Sequence, residues 1–167
     1  SRGLGDVYKR QLPTELFLND VASTQPHRVK GTAVFMTSNP DGAPPVLLHH
    51  FKHNKVLHEQ VILLSVQTRH VPEVPAAQRL SIKELGQGFW QVTATYGFME
   101  TPNVLECLTL CNERGLPVDP QAASFYLGRE TLLTSGRSSM ARWRKVLFAI
   151  LSRNARPANM FFNIPPN

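Results

Sequence analysis

Two short apolar runs flank a segment with helical periodicity in the first half of the chain. Residues 32–38 read TAVFMTS and residues 60–68 read QVILLSVQT, and each run has a continuous apolar centre. Strands that are buried on both faces have this composition. Between them, residues 46–59 (VLLHHFKHNKVLHE) predict a helix that begins after Pro45. The order strand, helix, strand predicts a parallel βαβ unit.

A second pattern, strict alternation of apolar and polar positions, predicts a β-hairpin over residues 78–98. Residues 80–83 read LSIK, and Gly86-Gln87-Gly88 supplies the turn. We expect one face of the hairpin to pack against the protein core and the other to be exposed to solvent. The predicted packed positions after the turn are Trp90, Val92, Ala94, Tyr96 and Phe98.

The remaining segments predict elements that cover this sheet. Residues 12–23 and 101–115 predict helices, the second with Thr101 as N-cap and Pro102 at its first position, and residues 24–31 predict a connector. Further along, we expect a strand over residues 122–135 with Gly128 as a bulge or close approach, a helix over 138–155 and an extended tail. The predicted fold class is α/β (mixed α+β), a mixed sheet with a βαβ unit and a hairpin, covered by helices.

Charge and hydropathy restrict the function classes. The longest apolar runs, VILLSV and VLFAIL, are far shorter than the roughly 20 residues of a membrane-spanning helix. The formal charge is +6, and residues 137–156 contain six basic residues and no acid, so the other 12 Lys and Arg balance the 12 acids. Arg142, Lys145, Arg153 and Arg156 fall opposite the apolar stripe of the last predicted helix. They predict either a solvated face or a surface for anionic lipid headgroups or acidic loops, and nucleic acid is the least favoured partner.

Four histidines within ten positions are the first candidates for chemistry. His49 and His53 are spaced i, i+4 on the predicted helix and could share a metal ion, whereas His50 points elsewhere and His58 lies near the end. A metal site needs further ligands, and only Glu59 is near in sequence. Structural or surface histidines are the favoured interpretation, and pH sensing by His49 and His53 is the functional alternative.

Other motifs give no positive sign of catalysis, and no cofactor is predicted. The turn NPDGAPP (residues 39–45) joins a strand to a helix but lacks the glycine spacing of a nucleotide loop. Cys107 and Cys111 share one helix face and predict core packing. Residues 1–11 (SRGLGDVYKRQ) are expected to be a non-native assembly or adapter segment, which leaves residues 12–167 as the domain.

The order of elements resembles a known family. The stretch from Gly31 to Val66, together with GFWQVTATYGFME, ASFYLGRETL and MARWRKVLFAILSRNA…FFNIPPN, is similar to the C-terminal cytoplasmic domain of Kup-type (KUP/HAK/KT) potassium uptake transporters. The similarity covers residues 12–167. The family more often has Arg-Val-Pro-Gly where this chain has Lys at position 30, which weakens only the rigidity of that turn.

The resemblance implies a regulatory or stabilising domain on the cytoplasmic face of the cell (inner) membrane. It implies a parent that imports K+, with H+ as the coupled ion, along a path formed by an upstream membrane block. No K+ ligand is therefore assigned to this chain. The implied partner is that transmembrane core, while anionic lipid headgroups are expected from the basic residues and a second copy in a homodimer is a further candidate partner. The competing hypothesis is a stand-alone nucleotide or small-molecule sensing module, and a metal-dependent enzyme comes third.

Overall fold

Six strands form one mixed sheet in the computed structural model of the chain, which describes residues 12–37, 42–120, 122–128 and 159–163. The described elements are β1 (Leu12–Pro13), α1 (Thr14–Thr24), β2 (His27–Thr37), β3 (Gly42–Ala43), α2 (Pro45–Asn54), β4 (Val56–Arg69), a 3₁₀ turn (Ala76–Gln78), β5 (Leu80–Gly86), β6 (Phe89–Gly97), α3 (Val104–Glu113), β7 (Ser124–Gly128) and β8 (Asn159–Asn163). The sheet order is β5-β6-β4-β2-β7-β8, with β1 and β3 paired separately. Only β5 runs antiparallel to its neighbour in the large sheet. The predicted mixed α/β fold is confirmed.

The predicted βαβ unit forms the centre of this sheet, but two of its boundaries were wrong. β2 begins at His27, inside the predicted connector, and pairs in parallel with the start of β4. α2 ends at Asn54 rather than continuing through residue 59, because Lys55 adopts a left-handed conformation (φ 54°) and its N–H donates to the carbonyl of Phe51. Residues 56–59 are therefore strand. A register shift between Val29 and Thr32 surrounds Gly31.

The predicted hairpin is confirmed, with β5 and β6 antiparallel across a turn in which Gly86, Gln87 and Gly88 all have positive φ. β6 also pairs in parallel with β4, so the hairpin extends the sheet. The prediction of one packed and one wet face was only partly right. Phe89 is fully buried on the opposite face, and Phe98 is exposed because the strand ends at Gly97.

Alternate residues of the central strands face two separate cores. Ala33 and Phe35 face the side covered by α1 and α2, whereas Val34 and Met36 face α3. All four are almost fully buried, as expected for a parallel sheet covered on both faces. Each large apolar side chain buried in this way contributes about 1.5–3 kcal/mol to folding.

The helix starts depend on local hydrogen bonds that the sequence pattern indicates poorly. α3 begins at Val104 and is capped by Asn103, whose side chain accepts a hydrogen bond from the Glu106 N–H at 3.1 Å. The predicted Thr101 N-cap and Pro102 first position were therefore wrong. α1 lies where a helix was predicted, and no helix among the described residues is long and apolar enough to cross a membrane.

The final strands complete the sheet as far as the structure describes it. Within the strand predicted over residues 122–135, β7 occupies Ser124–Gly128, and residues 129–135 lie outside the described residues. Gly128 pairs with Asn163 without a register shift. β8 falls in the segment predicted to be an extended tail. The predicted helix over residues 138–155 lies outside the described residues.

Candidate functional surfaces

The four neighbouring histidines separate into two pairs. His49 and His53 lie on one side of α2 with their ring centroids 4.1 Å apart. His50 turns towards the sheet, where its ring is 4.8 Å from that of Tyr126. The ring centroid of His58, on β4, lies 6.4 Å from that of Tyr126. The inward pair, which sequence reasoning did not group, is thus organised by an aromatic side chain of β7.

Burial controls the charge of the inward pair. It lowers the pKa of His50 below the ordinary value of 6.5, and the charges of His58 and His49 lower it further. Burial also lowers the pKa of His58. Both imidazoles are therefore neutral at neutral pH. Among the described residues, no three His, Cys, Asp or Glu side chains converge as metal ligands would.

The two cysteines lie in the core between α3 and the sheet. Cys107 and Cys111 are buried and not disulfide-bonded, and the Cys107 Sγ is 3.0 Å from the Tyr96 hydroxyl. Burial raises the pKa of Cys107 to about 12 and that of Cys111 to about 11. Both thiols are therefore protonated at neutral pH, which suits a packing role.

Two predicted surfaces fall where the structure gives no description. Residues 39–41 of the NPDGAPP turn lie outside the described residues, although Pro45 opens α2 as predicted. Arg142, Lys145, Arg153 and Arg156 also lie outside them. The predictions for these positions stay predictions.

A buried arginine, missed by sequence reasoning, holds together the loops at one edge of the sheet. Arg79 is only 6% exposed, and its guanidinium donates to the carbonyls of Val74 at 2.8 Å and Thr95 at 3.3 Å. The guanidinium also lies 4.2 Å from the centroid of the Tyr96 ring and forms a close ion pair with Glu100. A buried charge is tolerated only when it is paired and hydrogen-bonded in this way.

Glu100 connects this arginine to two backbone segments. Its carboxylate accepts hydrogen bonds from the N–H groups of Gly97 at 2.9 Å and Val74 at 2.7 Å. These two N–H groups, and then the Arg79 guanidinium, hold the pKa of Glu100 below its ordinary value of 4.5. A second carboxylate, that of Glu106, lies 3.3 Å from Arg79 but is more exposed. The resulting network fixes the loop after β4 against the loop after β6.

The fixed loops present three exposed apolar side chains, which we term the apolar knuckle: Val71, Phe98 and Met99. Phe98 is 60% exposed and Met99 is 74% exposed. Their backbone N–H groups donate to the carbonyls of Val71 at 2.8 Å and Pro72 at 3.1 Å. At Gly97 the two loops are so close that a Cβ atom would overlap the backbone of Pro72. The knuckle is therefore a rigid surface feature.

Comparison with known proteins gives a consistent result along the chain. Residues 30–167 match the family model of the K+ potassium transporter C-terminal domain. The chain is 53% identical to the "Probable potassium transport system protein Kup" of Anaeromyxobacter sp. (strain Fw109-5), over 99% of this chain and 26% of that protein. It is 52% identical to "Probable potassium transport system protein Kup 2" of Syntrophobacter fumaroxidans (strain DSM 10017 / MPOB), over 96% and 25%.

A further relative agrees with these two. The chain is 50% identical to the "Probable potassium transport system protein Kup" of Myxococcus xanthus (strain DK1622), over 93% of this chain and 24% of that protein. The chain thus spans about a quarter of the length of the curated relatives it matches. No solved structure matches the chain.

Proposed function

Because the chain belongs to the family of K+ potassium transporter C-terminal domains, we propose that it regulates and stabilises a K+ uptake transporter from the cytoplasmic face of the cell (inner) membrane. The family match over residues 30–167 is the observation that carries this proposal. We propose residues 12–167 as the domain. The ion path for K+, and for H+ as the coupled ion, belongs to the remaining three quarters of such a polypeptide.

A domain of this kind acts through a difference in binding free energy. If it packs more favourably against one conformation of the transporter than against another, it shifts the population towards that conformation. A free-energy difference of about 1–3 kcal/mol changes an equilibrium by roughly five- to 150-fold. A modest contact surface is therefore sufficient for regulation, and no catalytic residue is required.

The apolar knuckle is the contact surface that we propose for the rest of the transporter polypeptide. Exposed aromatic and Met side chains are enriched at the centres of protein interfaces. The buried Arg79 network and the glycine contact at Gly97 hold the backbone of Phe98 and Met99 in place, so little backbone entropy is lost when a partner covers them. The proposed occupant is the rest of the same polypeptide because it makes up about three quarters of each relative.

The basic residues Arg142, Lys145, Arg153 and Arg156 are proposed to contact anionic lipid headgroups. Each Lys or Arg near an anionic surface contributes about 1 kcal/mol. Co-sedimentation of the purified chain with anionic vesicles, but not with neutral ones, is the expected result. Replacement of Arg142 and Lys145 by Gln should weaken it, and equal binding to neutral vesicles would exclude the headgroup contact.

pH sensing is proposed for the histidine pairs around α2. The outward pair, His49 and His53, was selected from spacing, and the inward pair, His50 and His58, has lowered pKa values. Protonation of either pair would place new positive charge on this face of the domain. An unchanged pH profile of transport after joint replacement of all four would end this proposal.

The functional test uses a chimeric transporter. Residues 12–167 replace the matching C-terminal quarter of the Anaeromyxobacter relative, and rubidium uptake is measured in cells that lack their own K+ uptake systems. We expect the chimera to transport, and we expect a protonophore to abolish uptake if K+ entry is coupled to H+. Phe98→Ser with Met99→Ser should reduce uptake by at least about fivefold, as a lost coupling of about 1 kcal/mol predicts.

The control variant is Leu16→Ser, since Leu16 on α1 is similarly exposed (54%) but lies outside the knuckle. It should leave uptake unchanged. Urea unfolding of the purified domain variants shows whether a loss of uptake comes from an unfolded domain or from a folded domain that no longer docks. If the knuckle variant transports like the control, the knuckle is not the contact surface. An inactive chimera with a stably folded domain would contradict the regulatory role.

A further inference from the structure

A cleft of about 570 Å³ lies between α1 and α2, on the sheet face opposite α3. Its volume falls within the range of roughly 300–1,000 Å³ that is typical of small-molecule sites. Its apolar wall is formed by Phe17, Leu48 and Phe51. Neither the family match nor the knuckle assigns a role to this cleft.

The apolar wall is preformed by aromatic packing. The rings of Phe17 and Phe51 meet edge to face at 5.6 Å, which joins the two helices across the base of the cleft. Phe17 packs edge to face on Phe89 of β6 as well, at 5.7 Å. Phe17 is only 2% exposed, so it forms the buried base of this wall, and the partly buried Leu48 and Phe51 form its accessible part. A flat ligand would meet a fixed aromatic surface, which reduces the entropy lost on binding.

The polar rim is asymmetric in charge. Lys52, in the last turn of α2, and Lys55, just after the helix, line one side, and Asp20 of α1 is the acidic residue of the lining. Lysines at a helix C-terminus also complement the helix dipole, which would explain their presence without any ligand. Here, however, both belong to the lining of one cleft, and they outnumber the single carboxylate.

We propose that this cleft binds a small organic anion. The flat apolar body of the ligand lies against Leu48 and Phe51, which Phe17 supports from beneath, and its anionic group pairs with Lys52 and Lys55. The ligand class is an aryl or alkyl carboxylate, sulfonate or monophosphate. Binding would stabilise the folded domain by mass action, and this proposal does not depend on the transporter role.

Two fluorescent probes that share one aromatic frame test both halves of the proposal. 1-Anilinonaphthalene-8-sulfonate carries the anionic group, and N-phenyl-1-naphthylamine lacks it. Titrated into the purified chain, the sulfonate should saturate a single site with a Kd on the order of 10–100 µM. In amide NMR spectra, the shifted resonances should be confined to α1, α2 and the strands beneath them.

Matched variants separate the charge from the apolar wall. Lys52→Ala with Lys55→Ala should raise the Kd of the sulfonate about tenfold, as loss of roughly 1.4 kcal/mol predicts, and leave that of the neutral probe within about twofold. Leu48→Asp should raise the Kd of both probes. The control is Lys30→Ala with Lys83→Ala, two exposed lysines outside the cleft, and it should change neither Kd.

Three outcomes would overturn the proposal. The first is equal binding of the neutral and anionic probes to the unmodified chain, because the lysines would then contribute nothing. The second is an unchanged sulfonate Kd in the double lysine variant whose far-UV circular dichroism and melting temperature match the unmodified chain. The third is sulfonate binding that does not saturate and shifts amides throughout the domain, since that would report a loosened core rather than a site.

Discussion

Replacement of Arg79 by Met tests whether the buried ion pair stabilises the loops that carry the apolar knuckle. Methionine fills a similar volume and retains most of the apolar contacts of the arginine stem. It removes the donors to Val74 and Thr95, the contact with the Tyr96 ring and the charge opposite Glu100.

The expected cost comes from the burial of the two charges. Breaking a buried pair by removing one partner costs about 3–5 kcal/mol because the other charge remains uncompensated. Here the Glu100 side chain is 21% exposed and keeps hydrogen bonds from Gly97 and Val74, so water and backbone N–H groups compensate part of the loss. We therefore expect Arg79→Met to lower the free energy of unfolding by about 2–4 kcal/mol, which leaves a typical domain of this size folded.

Urea unfolding of the purified chain, followed by far-UV circular dichroism, measures this loss. Arg114→Met is the matched control, because Arg114 also donates to two backbone carbonyls, those of Leu80 at 2.6 Å and Ala77 at 3.1 Å, but is exposed. Arg114→Met should lower the free energy of unfolding by about 0.5–1.5 kcal/mol. A double-mutant cycle with Glu100→Gln should give a coupling energy above about 1 kcal/mol.

The pH dependence provides a second check on the same pair. Since the folded pKa of Glu100 is lowered, its contribution to stability is present above pH 4.5 and is lost as the pH falls through the lowered value. The difference in free energy of unfolding between the unmodified chain and Arg79→Met should therefore be largest near neutral pH and should become smaller in acid. A loss no larger than that of Arg114→Met, or a loss independent of pH, would refute the reasoning.

Three further predictions concern other parts of the fold. Gly97→Ala should lower the free energy of unfolding in urea by about 2–4 kcal/mol, because the new Cβ overlaps the Pro72 backbone; unchanged stability would contradict the packing. His50→Gln should flatten the loss of stability below pH 6.5, because the lowered folded pKa means that the unfolded chain binds the proton first; an unchanged slope would contradict this. Cys107 and Cys111 should resist a thiol reagent at mildly alkaline pH until the chain is unfolded, and rapid labelling of the folded chain would show that they are not buried.

The central sheet could be predicted because its signal is local. Continuous apolar runs identified β2 and β4, and alternation with a glycine turn identified the β5–β6 hairpin. The strand starts could not be predicted in the same way. Three of residues 27–30 (His27, Arg28 and Lys30) are polar and none of the four is buried, so they carry no hydrophobic periodicity. The segment is strand because it pairs with the start of β4.

The boundary between α2 and β4 shows a second limit. Helices often end at a glycine or asparagine in the left-handed conformation, but here Lys55 takes that conformation, which no residue preference signals. Leu57 then falls on the apolar face that Val46 and Leu47 define in the predicted helix, although it belongs to the strand. At α3, the N-cap is Asn103 rather than Thr101, because the Asn103 side chain accepts a hydrogen bond from the N–H of Glu106.

The candidate surfaces were harder to predict because their contacts are distant in sequence. Arg79 and Glu100 are separated by 21 residues, and neither shows its partner in any local pattern. Likewise, Tyr126 joins His50 and His58 from a strand far along the chain. The family resemblance, in contrast, could be seen in continuous motifs, and it agrees with the match over residues 30–167.

Rubidium uptake by the chimera, compared with the same Anaeromyxobacter relative lacking its C-terminal quarter, tests the central claim most directly. If residues 12–167 form an interchangeable transporter domain, the truncated relative should transport poorly and the chimera should recover most of the uptake at equal amounts of membrane protein. If the truncated relative and the chimera transport at the same rate, whether high or low, this chain contributes nothing to K+ uptake and the account is contradicted.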